Sequence, residues 1–137
     1  MTSFLVNVDV AALDDAVAFY TAAFELRESR RLGPDVAELL GGTAPLYLLR
    51  AAPGTPASAG GPKRDYARHW TPVHLDFVVP ELEPALARAE AAGARREGAI
   101  REHDWGRLAV LADPFGNGFC LLQFVGRGYD LLAMPRA

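Results

Sequence analysis

Apolar and polar positions along the chain fall into two copies of one pattern. The segments "LVNVDVAALDDAVAFYTAAF", from Leu5, and "HLDFVVPELEPALARAEAAG", from His74, align at an offset of 69 residues. Each opens with a short run that predicts a strand and continues with apolar residues at helical spacing. Leu13, Val17, Tyr20 and Phe24 make an i, i+4, i+7, i+11 stripe in the first copy, and Leu82, Leu86, Ala89 and Gly93 hold the matching positions in the second. A stripe of that period is one buried helix face. Asp14 and Asp15, then Glu81 and Glu83, place acids where helix N-termini attract them, and Gly93 suits a C-terminal stop.

After each helix the pattern shortens into strands broken by turn residues. Strands are expected over 28–32, 36–40 and 46–50 in the first copy, and over 95–100, 107–112 and 119–124 in the second. The break "DPFGNG", from Asp113, has Asp opening a turn, Pro next, and Gly or Asn where positive φ is needed, so it predicts a hairpin. Each copy therefore reads βαβββ. The Pro- and Gly-rich stretch "AAPGTPASAGGPKRDYARH" joins them. Half of this chain is too small to bury a dependable core alone, so the two copies are expected to share one domain. Its expected parts are module one at about 3–51, a linker at about 52–70, module two at about 71–126 and a tail at 127–137.

Composition narrows the function without naming it. Of 137 residues half are apolar and 23% charged, an ordinary globular balance. Fourteen basic against 17 acidic residues, a formal charge of −3, give no reason to expect nucleic acid as a partner. No apolar run reaches the ~18 residues of a membrane span, and the N-terminus lacks a basic signal region. The single cysteine, Cys120, excludes an internal disulfide and reads as a small buried hydrophobe within "FCLLQF". A reducing, cytoplasmic setting is the expectation.

The chemistry concentrates in "PVHLDFVV", from Pro72. Side chains on a strand alternate, so His74 and Asp76 share one face while Leu75, Phe77 and Val79 take the other. Three readings stay open: a ligand patch, a catalytic acid–base pair, or two polar groups satisfying each other. Side chains two apart on a strand start ~6.5–7 Å apart, so direct contact needs suitable rotamers. "HLD" also matches the His-x-Asp element of iron oxygenases, but the βαβββ repeat does not fit that architecture. Trp105 and Arg107, in "REHDWGRL", suit either a pocket rim or the cover of a sheet end. No nucleophile elbow, phosphate loop or dinucleotide fingerprint is present.

The paired repeat, with "AALDDAVAFY", "VHLDFVVPELEPALARAEAAGA" and "LADPFGNGFCLLQF" in that order, resembles the vicinal oxygen chelate superfamily of glyoxalases, extradiol dioxygenases and bleomycin resistance proteins. The resemblance implies an α+β fold: two βαβββ modules forming an open, U-shaped, eight-stranded mixed sheet around a cavity, and a homodimer. In metal-dependent relatives the ligands come from the first and last strands of the modules. Carried over, those positions fall on Leu5 and Arg50 in module one and on His74 and Gln123 in module two. Leucine has no lone pair and arginine only donates, so no catalytic metal or other cofactor is expected. If a divalent metal does bind, His74 and Gln123 are the implied ligands, with Asn7, Asp9, Glu38 or Asp76 as substitutes. The leading expectation is a small-molecule-binding protein of the bleomycin-resistance type, holding an organic ligand between the modules. Asn7, Arg50, His74, Asp76, Trp105, Arg107 and Gln123 are the candidate ligand-binding residues, with Arg50 favouring an anion. The alternative is an enzyme, a glyoxalase-like lyase or isomerase or a dioxygenase relative, with a rearranged metal site or with His74 and Asp76 as catalytic pair.

Overall fold

The computed structural model describes residues 1–135. In the first half β1 (Val6–Val10) leads into α1 (Leu13–Phe24), then β2 (Arg27–Arg31), β3 (Val36–Leu40) and β4 (Leu46–Arg50). The second half repeats this with β5 (Leu75–Val78), α2 (Leu82–Ala92), β6 (Arg95–Arg96), β7 (Arg101–His103), β8 (Gly106–Ala112) and β9 (Gly118–Phe124), closed by a short 3-10 turn at Gly128–Leu131. In both halves the strand before the helix pairs in parallel with the last strand, β1 with β4 and β5 with β9, and the remaining neighbours are antiparallel. The sheet orders are β1-β4-β3-β2 and β5-β9-β8-β6, with β7 also on β8. This is the two-module α+β architecture the repeat implies. Among the described residues nine strands appear instead of eight, because the strand expected over 95–100 breaks around Gly98, at φ 88, and resumes as β7. The strands divide into a four-stranded and a five-stranded sheet.

Helix stripes fix which way each sheet faces. Leu13, Val17 and Tyr20 from α1 and Leu82, Leu86 and Ala89 from α2 are buried, and the two helices pack on each other. Val10, Leu39 and Leu48 of module one and Leu111 and Leu121 of module two close the same core. Aromatic rings stitch the halves: Phe24 stacks on Phe77 at 3.7 Å between centroids, and Phe19 meets Phe119 edge-on at 6.5 Å. Tyr20 also donates a 2.5 Å hydrogen bond from α1 to Asp113 of the β8–β9 hairpin. Burial, and then the Asp113 charge, push the Tyr20 phenol well above its ordinary pKa. Asp113 in turn accepts from the backbone of Phe115 and Asn117, so one buried carboxylate shapes the turn and anchors the other module.

The joining segment straps the surface. Arg64 Nε donates to Asp9 at 2.7 Å, Tyr66 Oη to the Ala51 carbonyl at 2.7 Å, and Arg68 pairs with Glu97 of module two. Gly116 is required where this strap crosses the hairpin: its φ is 82, and a Cβ there would lie 2.2 Å from the Ala67 carbonyl oxygen. Among the described residues no helix is long and apolar enough to cross a membrane.

Candidate functional site

With the helices on one side, each sheet shows its other face outward. On β5, Leu75 and Phe77 pack against the core, while Asp76 and Val78, with His74 just before the strand, point to the open face. The parallel register sets Cys120 of β9 directly opposite Asp76. His74 Nδ1 lies 3.0 Å from Asp76 Oδ1. A carboxylate only accepts, so the ring carries its proton on Nδ1 and offers Nε2 outward. Donor atoms of His74, Asp76 and Cys120 all lie within 4.8 Å of one another. Burial first, then the neighbouring Asp76 charge, push the Cys120 thiol up to about 11. A cavity of about 200 Å³ beside this cluster is lined by His74, Cys120, Arg68, Trp70 and Val110, among others.

The equivalent positions in module one carry different chemistry. Asn7, Tyr47, Glu38 and Arg30 form a single row across four strands, each paired with the next in register. Tyr47 Oη donates to Glu38 at 2.6 Å, and Arg30 grips the same carboxylate through Nε at 3.0 Å and Nη2 at 3.2 Å. Glu38 is buried, and the Tyr47 and Arg30 hydrogen bonds hold its carboxyl below the ordinary range. Within this row Tyr47, Glu38 and Arg30 satisfy one another, and Asn7 stands exposed beside them.

Only part of the expected constellation assembles. His74 and Asp76 touch. Arg50 shares strand parity with the buried Leu46 and Leu48 and pairs with Asp35 at 2.8 Å. Gln123 faces α2, where its Oε1 accepts from the Leu82 backbone N–H at 2.8 Å and so serves the exposed helix N-terminus. Arg107 bonds Glu83 of α2 and Glu102 of β7, on the helix side of the sheet. Trp105 stacks on His103 at 4.7 Å and meets Tyr129 at 5.0 Å, among the aromatics at the sheet end. The expected meeting of Arg50 and Gln123 with His74 therefore does not occur, and the reason is parity. The open-face positions of the last strands are Tyr47 and Cys120, an odd number of residues away from Arg50 and Gln123. Cys120, taken from the sequence as plain core, is the residue that reasoning missed. Counting back from Asp113 through the hairpin, with Asp76 as parallel partner, is the signal that would have found it.

A larger groove of about 840 Å³ runs between the modules, lined by Val6, Phe24, Leu26, Phe77, Val79 and Arg88 among others. Asp76 is the one expected site residue that borders it.

The comparisons agree with this geometry. A family model described as a glyoxalase-like domain matches residues 5–122. The chain belongs to the glyoxalase-like domain family. That places it in the vicinal oxygen chelate superfamily, where structural similarity also points. FosX, a genomically encoded fosfomycin resistance protein from Listeria monocytogenes, aligns in a mutant form complexed with Mn(II) and 1S,2S-dihydroxypropylphosphonic acid. Its TM-score is 0.67 at 19% identity, over 88% of this chain and 90% of that one. TioX from a Micromonospora species aligns at TM-score 0.69 and 18% identity, over 91% of this chain and 100% of that one. A glyoxalase/bleomycin resistance protein/dioxygenase family enzyme from Burkholderia phytofirmans aligns at 0.67 and 20%, over 88% and 97%. At these identities the likeness shows the fold and no activity. No curated protein sequence matches the chain.

The residues present fit a metal in one arrangement. A mononuclear ion normally takes three protein donors and keeps a position open for chemistry. Leu5 and Arg50 supply none, whereas His74, Asp76 and Cys120 offer a nitrogen, an oxygen and a sulfur from one sheet face.

Proposed function

We propose that this protein binds a small organic molecule in the groove between its modules, with Asp76, held by His74, as the polar end. The observation that carries the reading is the position of Asp76. It borders an apolar groove of about 840 Å³, within the range of ligand pockets, and is tied to His74. Arg50 is engaged by Asp35 away from this point and lends nothing to an anionic ligand in the groove. A carboxylate at the edge of an apolar groove favours a ligand with a cationic or hydrogen-bond-donating head and an apolar body.

Two fluorescent probes that share an aromatic body test this. Dansylcadaverine carries an ammonium and dansylglycine a carboxylate. The cationic probe should gain fluorescence on binding and lose about 1.5–3 kcal/mol of affinity in Asp76→Asn, the range for a hydrogen bond to a charged group. Preference for dansylglycine, or indifference to Asp76→Asn, sinks the reading. We also propose a homodimer, because Trp70, Val73 and Val78 stand 83%, 77% and 61% exposed around the open face of module two. Sedimentation at roughly tens of micromolar should show the dimer, and monomer alone would count against it.

A further inference from the structure

We propose that His74, Asp76 and Cys120 form a binding site for a thiophilic divalent ion of the zinc class, held by module two alone. This goes beyond ligand binding in the groove and reverses the expectation of no metal, which rested on a donor count that left Cys120 out. The geometry favours one ion. His74 Nδ1 and Asp76 Oδ1 are 3.0 Å apart, a separation two ligands of the same ion can keep once the ring proton moves from Nδ1 to Nε2, and one donor atom from each of the three residues lies within 4.8 Å of the others. Tetrahedral zinc with bonds of 2.0–2.3 Å sets its ligands roughly 3.5 Å apart, so side-chain adjustment closes the site without moving the backbone. The strand register already holds Asp76 opposite Cys120.

Charge and softness then select the ion. Binding converts the Cys120 thiol to a thiolate and releases one proton to solvent. Thiolate, carboxylate and neutral imidazole balance the double charge of the ion. A sulfur donor favours zinc or cobalt over hard, oxygen-seeking manganese. The adjoining cavity of about 200 Å³ leaves room at a fourth coordination position. Module one has no counterpart to this site, since Leu5 and Tyr47 occupy the equivalent positions and Glu38 is committed to Arg30 and Tyr47.

Cobalt titration of the chelator-treated full chain tests the proposal. One equivalent of Co(II) should produce a near-ultraviolet thiolate-to-cobalt charge-transfer band. Zn(II) should displace it, an equal concentration of Mn(II) should not, and about one proton should be released per ion. Cys120→Ser and Cys120→Ala should both abolish the band and weaken Zn(II) by more than about 100-fold, while melting with the parent in metal-free buffer. His74→Gln, at an exposed position, keeps the test valid if the buried cysteine tolerates no change, and should weaken Zn(II) by more than about tenfold. Absence of the band, its survival in the cysteine variants, Zn(II) affinity indifferent to His74→Gln, or displacement by Mn(II) would overturn the proposal. Dansylcadaverine binding measured in chelator reads the groove separately, so failure of either idea is visible without the other.

Discussion

The open faces of the two modules carry the same backbone and opposite chemistry. In register, Asn7, Tyr47 and Glu38 of module one correspond to Asp76, Cys120 and Val110 of module two. Module one fills its row with groups that satisfy one another: Arg30 and Tyr47 both end on Glu38. Module two has an apolar residue, Val110, at the Glu38 position, so Asp76 and Cys120 cluster with His74 and have no counterpart of Glu38 to engage them. A repeat can thus use one copy for stability and leave the other available for binding, because the fold sets positions and the side chains decide what happens there.

Breaking the closed row should cost stability and spare binding. Glu38→Gln is expected to lower the melting temperature at neutral pH by about 3–5 °C, while dansylcadaverine affinity stays unchanged. The sign of its pH dependence follows from the depressed carboxyl. Its stabilisation is complete above the ordinary value of 4.5 and is lost as pH falls through the lower folded value. The gap between parent and variant should therefore narrow on acidification, and a gap that widens would show that Glu38 does not stabilise as a carboxylate. A smaller effect is expected on the helix side of module two. Gln123→Ala removes the acceptor for the Leu82 N–H and should cost about 1 kcal/mol in denaturant unfolding, with probe affinity intact. Arg50→Ala, which breaks an exposed pair with Asp35, should change the melting temperature by no more than about 1 °C and leave probe affinity alone. A large loss of binding in either variant would restore these residues to the site.

Much of this architecture is legible in the sequence because helices and half-exposed strands announce their periods. The stripe from Leu13 to Phe24 and its copy from Leu82 to Gly93 place both helices, and 36–40 and 46–50 coincide with β3 and β4. Gly98 interrupts the strand expected over 95–100, and the strand expected in "PVHLDFVV" shortens to Leu75–Val78. The pairing of His74 with Asp76 follows from alternation on β5. Alternation fails on β9, where Phe119, Cys120, Leu121 and Leu122 are all buried and nothing in an apolar run says which residues face which side. The same ambiguity in "LYLLR" put Arg50 where Tyr47 belongs. Facing direction there comes from the parallel partner strand, a long-range contact that local pattern does not contain.

The contrast between the modules is tested most directly by mutating one equivalent pair. Asp76→Asn and Asn7→Ala alter corresponding positions, and dansylcadaverine titration of both variants in chelator-treated buffer compares them. If module two carries the site, Asp76→Asn weakens binding by about 10-fold or more and Asn7→Ala changes it by less than about twofold. Equal losses in the two variants, or a greater loss in Asn7→Ala, would contradict the assignment of binding to module two.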